Sequence, residues 1–302
     1  MSNWNLRGPR FEISIEDSAY PSILKETKGA PERIYGIGNP EALKPSVAVI
    51  GARKVTPYGK TCTETFARQA ARRGLSIISG GAIGCDQIAH QAALDEDAQT
   101  VVVFGSGANV IYPKSGKKLF EEVVANDGAV ISEHPWDTKP MPYFFRERNR
   151  IIAGFALMLV IAEAGMPSGT FSTADAALSA GRDVAVVPGS ILSPYSKGTN
   201  NLLLQGATPI IDVKSFNDAL DSAFQRLPLT LLEQIEKGEE NCRRARALKN
   251  DRILVALSAD AYAPEELAAY FGFSPIEIMQ RLSEYEIAGL VERHKDGRYF
   301  LI

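Results

Sequence analysis

The chain repeats one unit: a short run that is apolar from end to end, a glycine or small polar residue, then a segment of helical periodicity. Val47-Ala-Val-Ile-Gly51 precedes a helix from Tyr58 to Arg73 closed by Gly74. Leu75-Ser-Ile-Ile78 leads through Ser79-Gly-Gly-Ala-Ile-Gly84 into a helix over 84–95, and Thr100 to Phe104 leads through Gly105-Ser-Gly107 into one ending near Asn126. Strands over 129–132, 157–162, 183–187 and 208–212 then alternate with helices over 148–155, 170–180 and 200–205. Strands apolar on both faces must be covered on both faces, and alternation with helices makes them parallel. The expected fold class is therefore α/β, a doubly wound, mostly parallel sheet. Ligands of such sheets sit at the carboxyl edge of the strands, where these glycines collect.

The flanks follow other patterns. Residues 1–45 carry prolines at 9, 21, 31, 40 and 45 without a sustained period. They read as an arm packed on the main domain of residues 46–225 through Tyr20, Ile23, Leu24, Ile34 and Tyr35. The period lapses after Asp221, and 226–250 read as a charged, helical linker. Within 251–302, helices over 252–258, 264–271 and 276–288, a turn at Gly272-Phe-Ser-Pro275 and a hairpin turning at Asp296-Gly297 match a small winged helix. That segment holds five Lys and Arg against nine Asp and Glu, two of them, Glu277 and Glu284, on the would-be recognition helix. This is the reverse of a nucleic-acid footprint, so the segment is expected to bind protein or its own dimer mate rather than duplex DNA.

A chain of 302 residues, 45% hydrophobic and 23% charged, can bury a sizeable core, and it has no apolar run near the roughly 20 residues of a membrane span. Arg7 and Arg10 are followed by no apolar stretch, so no secretion signal is read and the expected location is cytoplasmic. Cys62, Cys85 and Cys242 form no zinc-ligand spacing with His90, His134 and His294, so neither a metal nor a cofactor is expected. A net charge of −3 still permits a local basic groove.

Several loops converge on that edge. In Ser79-Gly80-Gly81-Ala-Ile-Gly84 the glycines allow close backbone approach, and the amides of the following helix start favour an anion. Gly51-Ala-Arg53-Lys54 projects two cations from the first strand, and Gly105-Ser-Gly107 with Tyr112-Pro113 forms a further loop. Pro142-Tyr-Phe-Phe145-Arg-Glu-Arg148-Asn149-Arg150 joins aromatic surfaces to guanidiniums, the combination that stacks bases and pairs phosphates. Ser168, Gly169 and Thr170 offer hydroxyls and amides at a helix start, and Lys197 and Asn200 belong to the loop after Pro188-Gly189. Capping or packing accounts for any one of these loops; so many on one edge suit an extended polyanion. No Ser-His-Asp order, HExxH or nucleophile elbow is present, and His90 reads as a core or capping histidine.

The stretches VAVIGARKVTPYG, SGGAIGCDQIAH, GSGANVIYP, GAVISEHP, FFRERNRIIAG, EAGMPSGTFSTADAAL, GRDVAVVPG and KGTNNLLLQGA, in this order over roughly residues 20–215, resemble the DprA/Smf family of DNA-processing proteins. The tail LSEYEIAGLVERHKDGRYFLI is similar to the winged-helix segment of many members. The resemblance implies an extended Rossmann-like domain that is not an enzyme. It also implies binding of single-stranded DNA in a basic pocket, dimerisation, and delivery of the strand to the RecA recombinase in transformation or recombination. On motif match, Arg53, Ser79, Gly80, Phe145, Arg148, Asn149, Arg150, Ser168, Gly169 and Lys197 are its pocket positions. Two departures lower the positive potential: Ile83 stands where the family usually has arginine in SGxARGID, and Asp175 where it often has the arginine of TAR. Arginine at Ile83 is expected to tighten strand binding. The alternative is a nucleotide-binding sensor or phosphoribohydrolase-like protein of the same superfold. Those enzymes carry a PGGxGTxxE motif, and here threonine (Thr173) occupies the glutamate position.

Overall fold

The computed structural model describes residues 6–302, apart from the side chains of 241–250, among them that of Cys242. In chain order the elements are β1 (Arg10–Ser14), α1 (Ser22–Lys25), β2 (Arg33–Gly38), β3 (Ser46–Ile50), α2 (Pro57–Arg72), β4 (Ser76–Ser79), α3 (Cys85–Asp95), β5 (Thr100–Val103), α4 (Lys117–Ala125), β6 (Ala129–Ser132), α5 (Phe144–Phe155), β7 (Ala156–Ile161), α6 (Thr170–Ser179), β8 (Asp183–Val186), α7 (Lys197–Leu204), β9 (Thr208–Pro209) and α8 (Val213–Phe224). They are followed by α9 (Leu229–Asn250), α10 (Arg252–Ala259), α11 (Pro264–Phe271), α12 (Pro275–Ile287), β10 (Val291–Arg293) and β11 (Tyr299–Leu301). The chain divides into two compact units at Glu239/Glu240.

The first unit is built on a nine-stranded sheet of order β1-β2-β6-β5-β4-β3-β7-β8-β9. From β6 to β9 neighbouring strands are parallel, and β1 and β2 add antiparallel pairings at one edge. Period-2 alternation assigns successive side chains of each strand to opposite cores. Val47 and Val49 of β3 and Met158 and Val160 of β7 pack with Phe66 of α2, Ala89 of α3 and Phe216 of α8. Ala48, Ile50, Leu159 and Ile161 face the other way, onto Ile151 and Ile152 of α5, Ala174 of α6 and Leu24 of α1. Strands β3 to β6 run outward in one direction and β7 to β9 in the other, so the order reverses between β3 and β7. In open α/β sheets a crevice opens at this switch point.

Three expectations need correction. Residues 10–38 do not lie as an arm on the domain: β1 and β2 are strands of the sheet itself, and Tyr20, Ile23, Leu24 and Ile34 are buried in its cores. The supposed linker contains α9, whose Ile235 is buried in the α2-side core. The lapse near Asp221 falls inside α8, which opens on a reciprocal Asp212–Ser215 cap and buries Phe216, Leu220 and Ala223 at helical spacing.

The second unit is a winged helix. Leu254, Leu267, Ile278, Leu282, Val291 and Tyr299 form its core. Gly272 ends α11 in the left-handed conformation, and Ser274 and Glu277 cap α12 reciprocally. Among the described residues, no helix is long and apolar enough to cross a membrane and no His, Cys, Asp and Glu cluster could hold a metal ion.

Candidate functional site

At the switch point the loops after β3 and β7 face each other across a cleft of about 720 Å³. Gly51, Arg53 and Lys54 line one side, and Pro167, Ser168, Gly169 and Thr170 the other. The first two turns of α5 form the floor. Phe145, Arg148, Asn149 and Ile152 all line the cleft, and their spacing of three and four residues puts them on one helical face. The helix begins four residues earlier than its periodicity suggested. No side chain caps it; Phe144 instead packs on His134, with ring centroids 3.9 Å apart, and Phe145 on Tyr112 at 5.0 Å.

The three arginines of this segment are sorted by helical phase. Arg146 is exposed at the rim, and its side chain has no hydrogen-bond or ion-pair partner among the described residues. Arg150 points off the cleft face and makes a two-pronged pair with Glu133, at 2.8 and 2.6 Å. Arg148 lines the cleft floor but is only 5% exposed, and its Nη1 donates to the carbonyls of Gly80 and Val103. Burial pushes its pKa down to about 10, opposed by the nearby Asp86 carboxylate, so the guanidinium is still charged at neutral pH. Gly80 has no Cβ because one would sit 2.6 Å from this guanidinium.

The glycine turn supplies its own anion. Asp86 Oδ2 accepts from the amides of Gly80 (3.2 Å) and Ala82 (3.3 Å), so these amides are turned inward and do not present themselves to an outside phosphate. The expectation that the turn cradles an anion is thereby corrected: the first turn of α3 already holds a carboxylate there. Burial raises the Asp86 pKa, while the Arg148 charge and the amides oppose that rise. Gly81, at φ +69°, makes the bend and packs on Val102 and Phe120 away from the cleft. Ser79 is buried and donates to Val49 O at 2.7 Å, tying β4 to β3.

Beneath the same turn lies His90, fully buried, with Nδ1 2.7 Å from Thr100 Oγ1. Thr100 gives its one hydroxyl proton to Ile77 O, so the imidazole proton sits on Nδ1. Burial, reinforced by the Arg148 charge, pushes the His90 pKa from 6.5 down to about 3. Between these values the unfolded chain binds the extra proton. Stability is therefore complete above about pH 6.5 and is lost as pH falls toward about 3. Urea midpoints measured from pH 7 to pH 5 are expected to fall for the wild type and to fall less steeply for His90→Leu.

Three other expected positions, Gly105, Asn200 and Lys197, do not line the cleft. Gly105 lies against the Phe145 ring, and Asn200 brackets Gly189 through both its amide and its carbonyl. Lys197 is exposed at the start of α7, outside the cleft. Asn149 donates to Ser172 Oγ at 3.2 Å, and the Ser168 and Thr170 hydroxyls pair at 2.8 Å. Two aromatic side chains also line the cleft, Tyr112, which the sequence marked only as part of a loop, and Tyr195, which it did not single out; they are 44% and 43% exposed. Their signal was present, since both lie in loops at this sheet edge. Arg53, Lys54 and Arg146 are its exposed cations, and none has a carboxylate partner among the described residues. Asp86, already engaged, is its one carboxylate.

A family model described as DNA recombination-mediator protein A matches residues 12–221, and one described as DprA winged helix domain matches residues 243–297. The DNA processing protein DprA of Streptococcus pneumoniae is 41% identical over 196 residues, covering 65% of this chain and 69% of that protein. Protein Smf of Escherichia coli is 32% identical over 289 residues, 95% of this chain and 76% of that one. Of the solved structures, that of S. pneumoniae DprA aligns with TM-score 0.64 at 38% identity, over 69% of this chain and 73% of that one. The structure reporting the single-stranded DNA binding mode of DNA processing protein A from Helicobacter pylori aligns with TM-score 0.65 at 30% identity, over 74% of this chain and 100% of that one.

Proposed function

Because the chain belongs to the DNA recombination-mediator protein A family, whose model spans residues 12–221, we propose that its carboxyl-edge cleft binds single-stranded DNA. One observation carries this reading: Arg53, Lys54 and Arg146, cations without partners among the described residues, share the cleft with the exposed rings of Tyr112 and Tyr195 and with Phe145. Unpaired cations gain most from phosphates, and rings at the surface stack on bases that a duplex would keep hidden. The H. pylori relative, reported with a single-stranded DNA binding mode, supports the same assignment. Binding rather than catalysis is the proposed activity, because the one carboxylate in the cleft is already committed to backbone amides.

The proposal extends to a homodimer that hands the strand to a RecA-type recombinase in the cytoplasm. The edge strand β9 is two residues long, and beside it Leu204 and Ile211 are 89% and 75% exposed, an apolar edge that a second copy would cover. The winged-helix unit is assigned a protein partner. Its α12 exposes Ile276, Met279 and Ile287 beside Glu284 and Glu286, a surface that repels a phosphate backbone.

Fluorescence anisotropy with labelled single strand, duplex and mononucleotide over a salt series tests the reading. Single strand is expected to bind best, with a negative slope of log K against log salt. Equal or tighter binding of mononucleotide, insensitive to an oligonucleotide competitor, would favour the nucleotide-sensor reading.

A further inference from the structure

The winged-helix unit carries a pocket of its own. Asp251, Arg252 and Ile253 at the start of α10, Phe271 and Phe273 around the turn after α11, and Arg281 of α12 enclose about 190 Å³. Small-molecule sites hold roughly 300–1,000 Å³, so a nucleotide is too large for this pocket and a single side chain with a terminal group fits it. Residues 251–302 are acidic overall, yet two of their five cations meet here. Arg252 lies over the Phe271 ring at 5.6 Å and Arg281 over the Phe273 ring at 4.8 Å. A guanidinium over a ring face keeps its forked N–H edge for a further partner, and the ring holds that fork in place. Neither arginine is ion-paired to a carboxylate among the described residues. The pocket's one carboxylate is engaged by donors of the same unit: Asp251 Oδ1 accepts from the amides of Ile253 (2.9 Å) and Leu254 (3.5 Å), and Oδ2 from the Tyr285 hydroxyl. Glu277, one turn before Arg281, is turned to the Ser274 amide at 2.9 Å. Two forked donors and the apolar side chains of Ile253, Phe271 and Phe273 are thus left for a ligand.

We propose that this pocket binds the carboxyl terminus of a partner protein: the terminal carboxylate meets Arg252 and Arg281, and the last side chain, a large apolar one, packs on Ile253, Phe271 and Phe273. The inference rests on the protein-partner reading of this unit and adds the chemistry that partner presents. A carboxylate matches the guanidinium fork in shape as well as charge, with two oxygens for two donors. A DNA phosphate has the charge, but the sugars on either side of it are too bulky for the pocket and gain nothing from phenyl walls. The side-chain carboxylate of an internal Asp or Glu has no apolar group beside it. A chain end carries both on one Cα, which is what a small pocket with this mixed lining selects.

The test uses the full chain and short labelled peptides that differ only at their ends: a terminal leucine with a free carboxylate, the same peptide amidated, and one ending in glycine with a free carboxylate. The leucine acid is expected to bind about tenfold tighter than its amide or better, the worth of hydrogen bonds to a charged group. It should also bind several-fold tighter than the glycine acid, because the leucine side chain leaves water. Arg252→Ala and Arg281→Ala should each bring acid and amide close together and leave the amide's own affinity unchanged. Both arginines are exposed, so the urea midpoints of these variants should stay close to that of the wild type. Arg252→Lys and Arg281→Lys should keep part of the ratio, since lysine retains the charge and loses the fork. Absent peptide binding, equal binding of acid and amide, or a wild-type ratio in both alanine variants would overturn the pocket and leave the protein-partner reading of the unit standing. A labelled DNA duplex that the wild type binds and the double alanine variant does not would assign the two guanidiniums to phosphates and overturn both.

Discussion

Alanine at both Arg53 and Lys54 is expected to weaken single-strand binding by about a hundredfold at moderate salt and to flatten the salt slope by about 1.4. The slope follows from counterion release, about 0.7 per phosphate contact on single strands. The affinity follows from two hydrogen bonds to charged groups at about 1.5–3 kcal/mol each. Both residues are exposed, neither has a partner among the described residues, and the loop they occupy is shaped by other groups. Gly51 packs on Cys85, and Thr56 just beyond gives its amide and hydroxyl to the buried Glu163 carboxylate at 2.8 and 2.6 Å. The double variant should therefore melt like the wild type. Unchanged affinity with a wild-type slope would remove these two cations from the interface.

Arg148→Ala is expected to destabilise the first unit by about 3 kcal/mol or more. The change leaves the carbonyls of Gly80 and Val103 without their donor and Asp86 buried without the charge that opposes its protonation. Unsatisfied buried groups and uncompensated buried charges carry costs of this size. The urea midpoint should fall by about 1 M or more, given slopes of about 1–3 kcal/mol per molar. Loss of strand binding in this variant would then report a collapsed cleft floor rather than a lost phosphate contact. An unaltered urea midpoint with weakened binding would reverse that assignment and make Arg148 a direct contact. The comparison with Arg53 and Lys54 is informative because one site should move stability and the other only affinity.

Much of the fold was legible because its strands are buried on both sides. Runs such as Val47-Ala-Val-Ile50 and Leu157-Met-Leu-Val-Ile161 have no polar face, and this alone demands two covering layers. The cleft's position was legible for a related reason: loops that turn sharply after parallel strands carry glycine, so the glycines marked the carboxyl edge before any contact was known. Less was legible at the sheet's rim. Strands β1 and β2 are flanked by prolines and partly exposed, and the pairing of β2 with β6 joins residues about 95 positions apart. Helix α8 had its signals, Asp212 and Ser215 at the cap and Phe216, Leu220 and Ala223 behind it, but they lay where the strand–glycine–helix pattern had ended.

The sequence by itself determined most of the element types, the layering, the edge where the cleft opens and the kinds of side chain available there. Local periodicity and turn chemistry depend on neighbours in the chain, so they can be read along it. Tertiary structure decided which of those side chains face the cleft. Arg146, Arg148 and Arg150 are equivalent as letters. The rotation of α5 on the sheet sends one to solvent, one to the carbonyls of Gly80 and Val103, and one to Glu133. In the same way Asp86, six residues beyond Gly80, takes the amides that the glycines had seemed to offer an outside anion. A cation or an amide acts on a ligand only if the rest of the fold leaves it without a partner, and that partner can come from any distance in sequence.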